Sequence, residues 1–279
     1  MQKRKKIKVA LVYDFDGTLS PGNMQEFGFI QAVGKKTKDF WDKSSKISED
    51  QDASAILSYM KLMIDEAKAN NVQLKRSSFQ EFGSQIELYK GVEEWFSIIN
   101  QYGNKLGIEV VHYINSSGLI EMIEGSPIYK EFAKVFACSF LYDADGVANW
   151  PAVAVDYTAK TQFLFKINKG VHSISDNQKV NEYVLEQNRP IPFARMIYFG
   201  DGATDIPSMR LVKQFGGHSI AVYKPRSRDK SNVERLYKEN RVNFVCPADY
   251  SKDSRIYKVV TTILHKIKAD NDLNTLSPT

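Results

Sequence analysis

Cysteine is scarce in this chain: only Cys138 and Cys246 occur among its 279 residues. Two cysteines cannot form the disulfide framework that staples small secreted domains, and each of them lies among apolar neighbours. We therefore predict that both thiols are reduced and structural, which favours the cytoplasm as the place where the protein works.

Long apolar runs are missing as well. No uninterrupted run approaches the roughly 20 residues that a membrane-spanning helix needs. The basic start, Met1–Lys8, is followed by an apolar run that Asp14 and Asp16 interrupt, so we interpret it as a first strand and not as a secretory signal. We expect no membrane partner.

The charge balance is only mildly basic, with 38 Lys and Arg against 33 Asp and Glu and a net charge of +5. Much of the excess lies in the N-terminal run and in Lys224–Lys230. Such clusters can bind nucleic acid, but no aromatic residue or recognised binding motif is interleaved with these two. We predict a solvated tail and a solvated loop, and no nucleic-acid partner.

Strand-like apolar runs alternate with helix-like stretches, which is the pattern of an α/β fold. The clearest predicted strands are Val9–Tyr13, Ile108–Asn115, Arg195–Phe199 and Ser219–Tyr223. Each is short and nearly continuous in apolar residues, as strands buried on both faces are. The sequence predicts a Rossmann-like parallel sheet flanked by helices.

A long helical region separates the first two strands and is too long for a simple crossover. We predict that residues 21–89 form an inserted α-helical cap domain and that residues 1–20 and 90–279 form the core domain. Within the insert, residues 53–68 place apolar side chains, including Met60 and Met63, at helical spacing. Core packing explains this stripe better than a ligand pocket does.

The region after the second strand is predicted to contain a helix, Ile120–Phe132, and then a β-hairpin formed by Val135–Tyr142 and Ala148–Asp156. The connecting residues, Asp143–Gly146, resemble the start of a calcium loop, but the other ligand positions are missing and a hairpin turn is the better interpretation. The tail after Ala269 is expected to fray.

The stretch Asp14-Phe15-Asp16-Gly17-Thr18 ends the first predicted strand with two carboxylates one residue apart. Like charges so close repel each other, so a chain that keeps them there needs a cation or a shared proton nearby. A solvated turn is the alternative, since Asp and Gly are common in turns. The motif favours a chemically functional site over a solvated turn.

A second strand ends in a similar way, in Gly200-Asp201-Gly202 followed by Asp205. Ligands of an open parallel sheet gather outside the carboxyl ends of its strands, so both pairs of carboxylates could meet in one crevice. Such hard oxygen ligands suit Mg²⁺. The alternative is two independent turns.

Two further segments could hold an anion on the far side of that crevice. Ser116 lies in the Asn-Ser-Ser-Gly loop after the second strand, where its hydroxyl and the backbone N–H groups could cradle a phosphate or simply cap a helix. Lys160 opens an apolar helix and could point its ammonium into the crevice, although a surface lysine is the alternative. Lys166 and Lys169 lie further along that helix and are predicted to be solvated.

The order of these motifs resembles the haloacid dehalogenase-like hydrolase superfamily, and most of all its phosphoserine phosphatase-like branch. The resemblance covers approximately residues 7–20 and 90–250, with the insert in the position of that family's helical cap. Ser116 is followed by Ser-Gly where the branch usually has Gly-Gly, and residues 173–192 lengthen the gap between Lys160 and Asp201. These departures put phosphoserine itself in doubt as the substrate.

The resemblance implies a Mg²⁺-dependent phosphatase that hydrolyses a small phosphomonoester metabolite. Asp14 would be the nucleophile that forms an aspartyl-phosphate, and Asp16 the general acid and base. It implies that Mg²⁺ is held by Asp14, the backbone carbonyl of Asp16 and Asp201, and that Asp205 orients Lys160 or the waters of the metal. The predicted phosphate-binding residues are Gly17, Thr18, Ser116, Ser117 and Lys160.

Two other functions stay open on the same fold. A phosphoryl-transferring mutase would transfer phosphate without net release. A non-catalytic binding module would have no reason to keep repelling carboxylates together. The sequence does not predict the substrate or the oligomeric state.

Overall fold

The computed structural model describes residues 6–276, and for Gln187 the backbone only. One seven-stranded sheet has the strand order β4-β3-β2-β1-β5-β6-β7. The strands are β1 Ile7–Tyr13, β2 Ile108–Leu119, β3 Lys134–Tyr142, β4 Ala148–Val153, β5 Met196–Gly200, β6 His218–Tyr223 and β7 Phe244–Pro247.

Helices cover the sheet and form most of the segment between β1 and β2. They are α1 Phe29–Ala32, α2 Thr37–Asp50, α3 Ala55–Ala69, α4 Arg76–Gly83, α5 Val92–Lys105, α6 Ile120–Gly125, α7 Ala159–Lys169, α8 Asn177–Asn181, α9 Ile206–Gln214, α10 Ser231–Lys238 and α11 Arg255–Leu276. No helix within residues 6–276 combines the length and the apolar character needed to cross a membrane.

The central strand β1 pairs in parallel with β2 on one side and with β5 on the other. From Val9 to Tyr13 every side chain is fully buried, because helices cover both faces of the sheet. All pairs are parallel except β3 with β4. The predicted α/β class, the four predicted strands and the hairpin after β2 are confirmed; β7 was not predicted.

The helix predicted over residues 120–132 is wrong beyond its first turns. α6 ends at Gly125, and Tyr129–Glu131 is a separate 3-10 turn. Pro127 explains the break, because its ring cannot continue a helix and the residue before it avoids helical geometry.

The segment 21–89 is helical, and its methionine stripe is confirmed as packing: Met60 and Met63 are fully buried. The segment also makes close contact with the rest of the chain. α4 crosses α6 where Gly83 meets the Met122 carbonyl, so a side chain at Gly83 would displace backbone. The division into a core domain and a cap domain stays a prediction.

Lys166 was predicted to be solvated, and that prediction is wrong. Lys166 is 2 % exposed, and its ammonium donates to the carbonyls of Ser173, Ile174 and Asp176 at 2.9–3.1 Å. Lys169, at the end of the same helix, also donates to two carbonyls of this loop region. The two lysines satisfy backbone carbonyl oxygens of the segment that follows α7.

The predicted fraying after Ala269 is also wrong up to residue 276, because α11 continues to Leu276. Arg195 donates to Asn271 at 3.1 Å and ties the last turns to the core. The predicted frayed residues Ser277 and Pro278 lie outside the described residues. Both cysteines are free and buried, as predicted.

Candidate active site

The carboxyl ends of β1 and β5 bring the two acidic motifs together. The Asp14 N–H donates to the Phe199 carbonyl of β5 at 2.9 Å, which aligns the two strand ends. Carboxylate oxygens of Asp14, Asp201 and Asp205 all lie within 4.8 Å of one another. The predicted convergence of these residues is therefore confirmed.

Asp14 lies at the bottom of the crevice and is 5 % exposed. Its Oδ1 accepts hydrogen bonds from the Phe15 N–H at 2.8 Å and from the Lys160 ammonium at 3.1 Å. Burial, with the charge of Asp205 as the next cause, raises the pKa of Asp14 to about 7 despite the opposing charge of Lys160. The site thus holds a carboxylate whose charge is only partly compensated.

Lys160 points into the crevice, as one of the two interpretations predicted. Its side chain is fully buried, and its ammonium lies 2.7 Å from Asp205 Oδ1 as well as 3.1 Å from Asp14. Burial would lower the pKa of Lys160, but the two carboxylates outweigh burial and raise it. Asn115 donates to the Lys160 carbonyl at 2.9 Å and so fixes the start of α7 against the end of β2.

Asp205 is fully buried and both of its oxygens accept protein donors. Oδ1 accepts from Lys160 and from the Tyr198 hydroxyl at 2.8 Å, and Oδ2 accepts from the Gly202 N–H at 3.4 Å. Gly200 makes this possible, because a side chain there would collide with the Asp205 carboxylate. The contact from Tyr198 was not predicted.

Asp16 lies beside the three clustered carboxylates. Its Oδ1 accepts from the Met24 N–H at 3.0 Å. Burial first, and the neighbouring Asp14 charge second, raise the pKa of Asp16 well above its ordinary value. The cluster of three does not include this carboxylate. The predicted role of Asp16 at the metal concerns its backbone carbonyl, and that role stays a prediction.

Gly17 is the residue that lets the first motif approach the second. It adopts φ +72°, and a side chain at this position would overlap the carboxylate of Asp201. Burial, followed by the charges of Asp14 and Asp205, raises the pKa of Asp201. Thr18 is fully buried and its hydroxyl has no hydrogen-bond partner among the described residues, so its contact with phosphate stays a prediction.

The loop at the end of β2 lies against the first motif. Ser116 is fully buried and its hydroxyl accepts from the Gly118 N–H at 3.0 Å, a local turn bond. The Ser117 carbonyl accepts from the Tyr59 hydroxyl of α3 at 2.8 Å, whereas the Ser117 hydroxyl has no partner among the described residues. Both serines line the same cavity as Asp14, Asp16 and Asp201, and the contact of their hydroxyls with a phosphate stays a prediction.

These residues line one cavity of about 430 Å³, which we call the catalytic cavity. Part of its wall comes from the segment 21–89, through Gln25, Trp41, Ile56 and Tyr59. Ile56 and Tyr59 belong to the apolar stripe within residues 53–68 that was predicted to be core packing, and neither Gln25 nor Trp41 was predicted to lie at the site. No local motif marks them, because helices that are distant in the chain place them there.

The carboxylate oxygens in this cavity are suitable ligands for a divalent cation. Three close carboxylates are compensated by a single ammonium group, and burial raises the pKa of Asp14 and of Asp201. Hard carboxylate oxygens with open positions for water and phosphate are the donors that Mg²⁺ takes in proteins. A cation would offset the burial and, second, the mutual repulsion of the carboxylates that raise these pKa values.

Comparison with known proteins gives one match to a family model, which is described as Putative Phosphatase and covers residues 9–216. A protein of Borreliella burgdorferi, described as uncharacterized, is 29% identical in an alignment that covers 92% of this chain and 96% of that protein.

Two solved structures of phosphoserine phosphatase share the fold. A substrate-bound complex has a TM-score of 0.57 and 17% identity, and it covers 92% of this chain and 99% of that chain. A structure titled as a phospho-aspartyl intermediate analogue has a TM-score of 0.54, 17% identity and the same coverage.

Proposed function

Because the chain belongs to the Putative Phosphatase family, we propose that it is a Mg²⁺-dependent phosphatase of a small phosphomonoester metabolite. We place it in the phosphoserine phosphatase-like branch of the haloacid dehalogenase-like superfamily as part of this proposal. The observation that carries the proposal is the position of Asp14. It is a buried carboxylate at a strand end, bonded to Lys160 and within 4.8 Å of two further carboxylates. That arrangement suits a nucleophile for phosphorus.

In the first half-reaction, Asp14 attacks the phosphorus atom in line with the ester bond. A bond forms between a carboxylate oxygen and phosphorus, and the bond between phosphorus and the ester oxygen breaks. Asp16 gives its proton to the departing alkoxide. The raised pKa of Asp16 supports this role, because a general acid must hold a proton near neutral pH.

In the second half-reaction, a water molecule attacks the aspartyl-phosphate and Asp16 takes the proton from that water. The acyl-phosphate bond breaks, inorganic phosphate leaves and the Asp14 carboxylate is restored. The phosphoserine phosphatase structure with a phospho-aspartyl intermediate analogue supports such an intermediate here by analogy.

Asp14 and Asp201, with the Asp16 carbonyl, would hold Mg²⁺, which when bound supplies positive charge against the oxygens of the phosphoryl group. Asp205 fits a positioning role better than a ligand role. Both its oxygens already accept hydrogen bonds, and one of these donors is the Lys160 ammonium.

Lys160 and Ser116 would contact the non-bridging oxygens of the phosphoryl group, together with Ser117 and the turn at Gly17 and Thr18. Charge-assisted hydrogen bonds of this kind hold the group in line with Asp14 and stabilise the charge of the transition state. We also infer that the protein works in the cytoplasm, which the two free cysteines support.

The test is release of inorganic phosphate from a panel of phosphorylated metabolites, with Mg²⁺ and with excess chelator. We expect turnover only with Mg²⁺, and none for Asp14→Asn, because an amide cannot form the acyl-phosphate. Substantial release by Asp14→Asn, or equal release with chelator, would contradict the proposal. Transfer of phosphate between organic molecules without release would instead identify a mutase.

A further inference from the structure

A second cavity, of about 240 Å³, opens beside the catalytic cavity. The two share Gly17, Pro21 and Asp201 in their walls. Because the Asp14 and Asp201 carboxylates approach within 4.8 Å, the second cavity begins next to the place where the phosphoryl group would bind. A small substrate could therefore extend from one into the other.

The far wall of this second cavity is basic. It is formed by the loop after β6 and includes Lys224 and Lys230. Within residues 6–276 neither lysine forms an ion pair, and the Lys230 ammonium lies 4.8 Å from the centre of the Tyr223 ring. Both positive charges are thus available to a ligand.

The loop also places one acidic residue, Asp229, in the same wall, where its negative charge offsets one of the two positive charges and leaves the loop with a net charge of +1 there. The Asp229 carboxylate accepts hydrogen bonds from the Ser231 N–H at 2.9 Å and from the Ser231 hydroxyl at 2.6 Å. Its oxygen is occupied at the start of α10, and the neighbouring Asn232 adds a polar group to the wall. The wall offers cations and hydrogen-bonding groups together.

The catalytic cavity has the opposite character. Its wall carries Asp14, Asp16 and Asp201, and among residues 6–276 it includes no lysine or arginine. Lys160 is fully buried and already paired with two carboxylates. A second negative group on a substrate would be repelled there and attracted by Lys224 and Lys230.

We propose that the second cavity is a substrate subsite for a second anionic group, so that the preferred substrates are small phosphomonoesters that also carry a carboxylate or a further phosphate. The proposal rests on the proposed function, because it takes the phosphoryl group to be bound at Asp14. The basic loop would then read the far end of the substrate, while Asp14 receives the end that reacts.

The test compares two ligands of equal length, 4-(phosphonooxy)butanoate and butyl phosphate, of which only the first carries a carboxylate. Their dissociation constants are measured by calorimetry with Mg²⁺ on Asp14→Asn, which binds without turnover. We expect the carboxylate to tighten binding by about tenfold, the scale of a charge-assisted contact. Lys224→Gln/Lys230→Gln should remove that advantage and leave butyl phosphate unchanged.

The matched control is Arg226→Gln/Arg228→Gln, which removes the same charge from the same loop at positions outside the cavity wall. We expect this control to keep the advantage. Equal losses in both double variants would reduce the effect to general attraction by a basic loop, and equal affinities for the two ligands would also overturn the proposal. Hydrolysis of p-nitrophenyl phosphate by the wild type tests the proposed function separately.

Discussion

Lys160→Met should destabilise the protein in a way that depends on pH. In the wild type a single buried ammonium lies 3.1 Å from Asp14 and 2.7 Å from Asp205. Removing it leaves two buried carboxylates without their counter-charge, and breaking a buried pair in this way costs about 3–5 kcal/mol. We expect a loss of that size in the free energy of unfolding at pH 8 without metal.

The loss should shrink as the pH falls. The pKa of Asp14 is raised to about 7 in the folded protein, from an ordinary value of 3.8. A carboxyl group with a raised folded-state pKa stabilises the fold at low pH and loses that contribution as the pH rises through the folded-state value. Without the ammonium the pKa of Asp14 rises further. The free energy of unfolding that Lys160→Met loses at pH 8 should therefore be regained as the pH falls to 5.5, by about 1.4 kcal/mol per pH unit for each proton taken up.

Urea unfolding at pH 5.5 and pH 8, with chelator present, measures both quantities. Lys166→Met is the control, because Lys166 lies on the same helix and is also buried but donates to carbonyls that do not titrate. It should lose stability by the same amount at both pH values. A Lys160→Met variant that loses nothing, or loses equally at both pH values, would refute the argument.

Four further outcomes follow from the site and its surroundings. Mg²⁺ should raise the melting temperature more at pH 8 than at pH 6, because Asp14, with its pKa of about 7, is mostly charged at pH 8 and mostly protonated at pH 6; equal shifts in calorimetric scans would argue against metal binding at Asp14. Asp16→Asn should lower kcat by about 10²–10⁴-fold, and most for poor leaving groups, in steady-state assays. Trp41→Phe in the cavity wall should change the order of kcat/KM among substrates, whereas Ser116→Ala should lower kcat/KM for all of them alike. The reverse result would contradict the assignment of substrate preference to Trp41 and of phosphoryl binding to Ser116. Burial lowers the pKa of His112 to about 3 in the folded protein. The free energy of unfolding should therefore be highest above the unfolded-state pKa of about 6.5 and fall by about 1.4 kcal/mol per pH unit below it. A urea midpoint that does not change between pH 6.5 and pH 4 would exclude this effect.

The parts of the fold and site that could be predicted depend on local signals. Buried parallel strands are continuous apolar runs, so β1 and β5 can be predicted from the sequence. The residues that follow these strands must meet at one edge of the sheet. This logic placed Asp14, Asp201 and Asp205 together. Lys160 was also foreseen, because it opens a helix that starts near that edge.

The errors concern residues whose partners are set by tertiary structure. Lysine is usually solvated, so nothing in the sequence marks Lys166 as buried. Its partners are carbonyls of residues 173–176, whose backbone path no motif predicts. Tyr59 has the spacing of a core residue and is 4 % exposed, yet it also lines the catalytic cavity, and Trp41 in the same wall belongs to no predicted motif. Periodicity identifies a buried face, but it does not distinguish a wall of a cavity from the interior.

Tyr198 shows most clearly where sequence reasoning ends. In an apolar strand a tyrosine is predicted to be core, and the Tyr198 ring is indeed fully buried. Its hydroxyl, however, donates to the same Asp205 oxygen that accepts from Lys160. A buried hydroxyl needs a partner, and here that partner is the carboxylate that holds the lysine of the site. The residue types and their order predict which groups meet, whereas the role of Asp205 as a holder of Lys160 follows only from which oxygen each donor occupies.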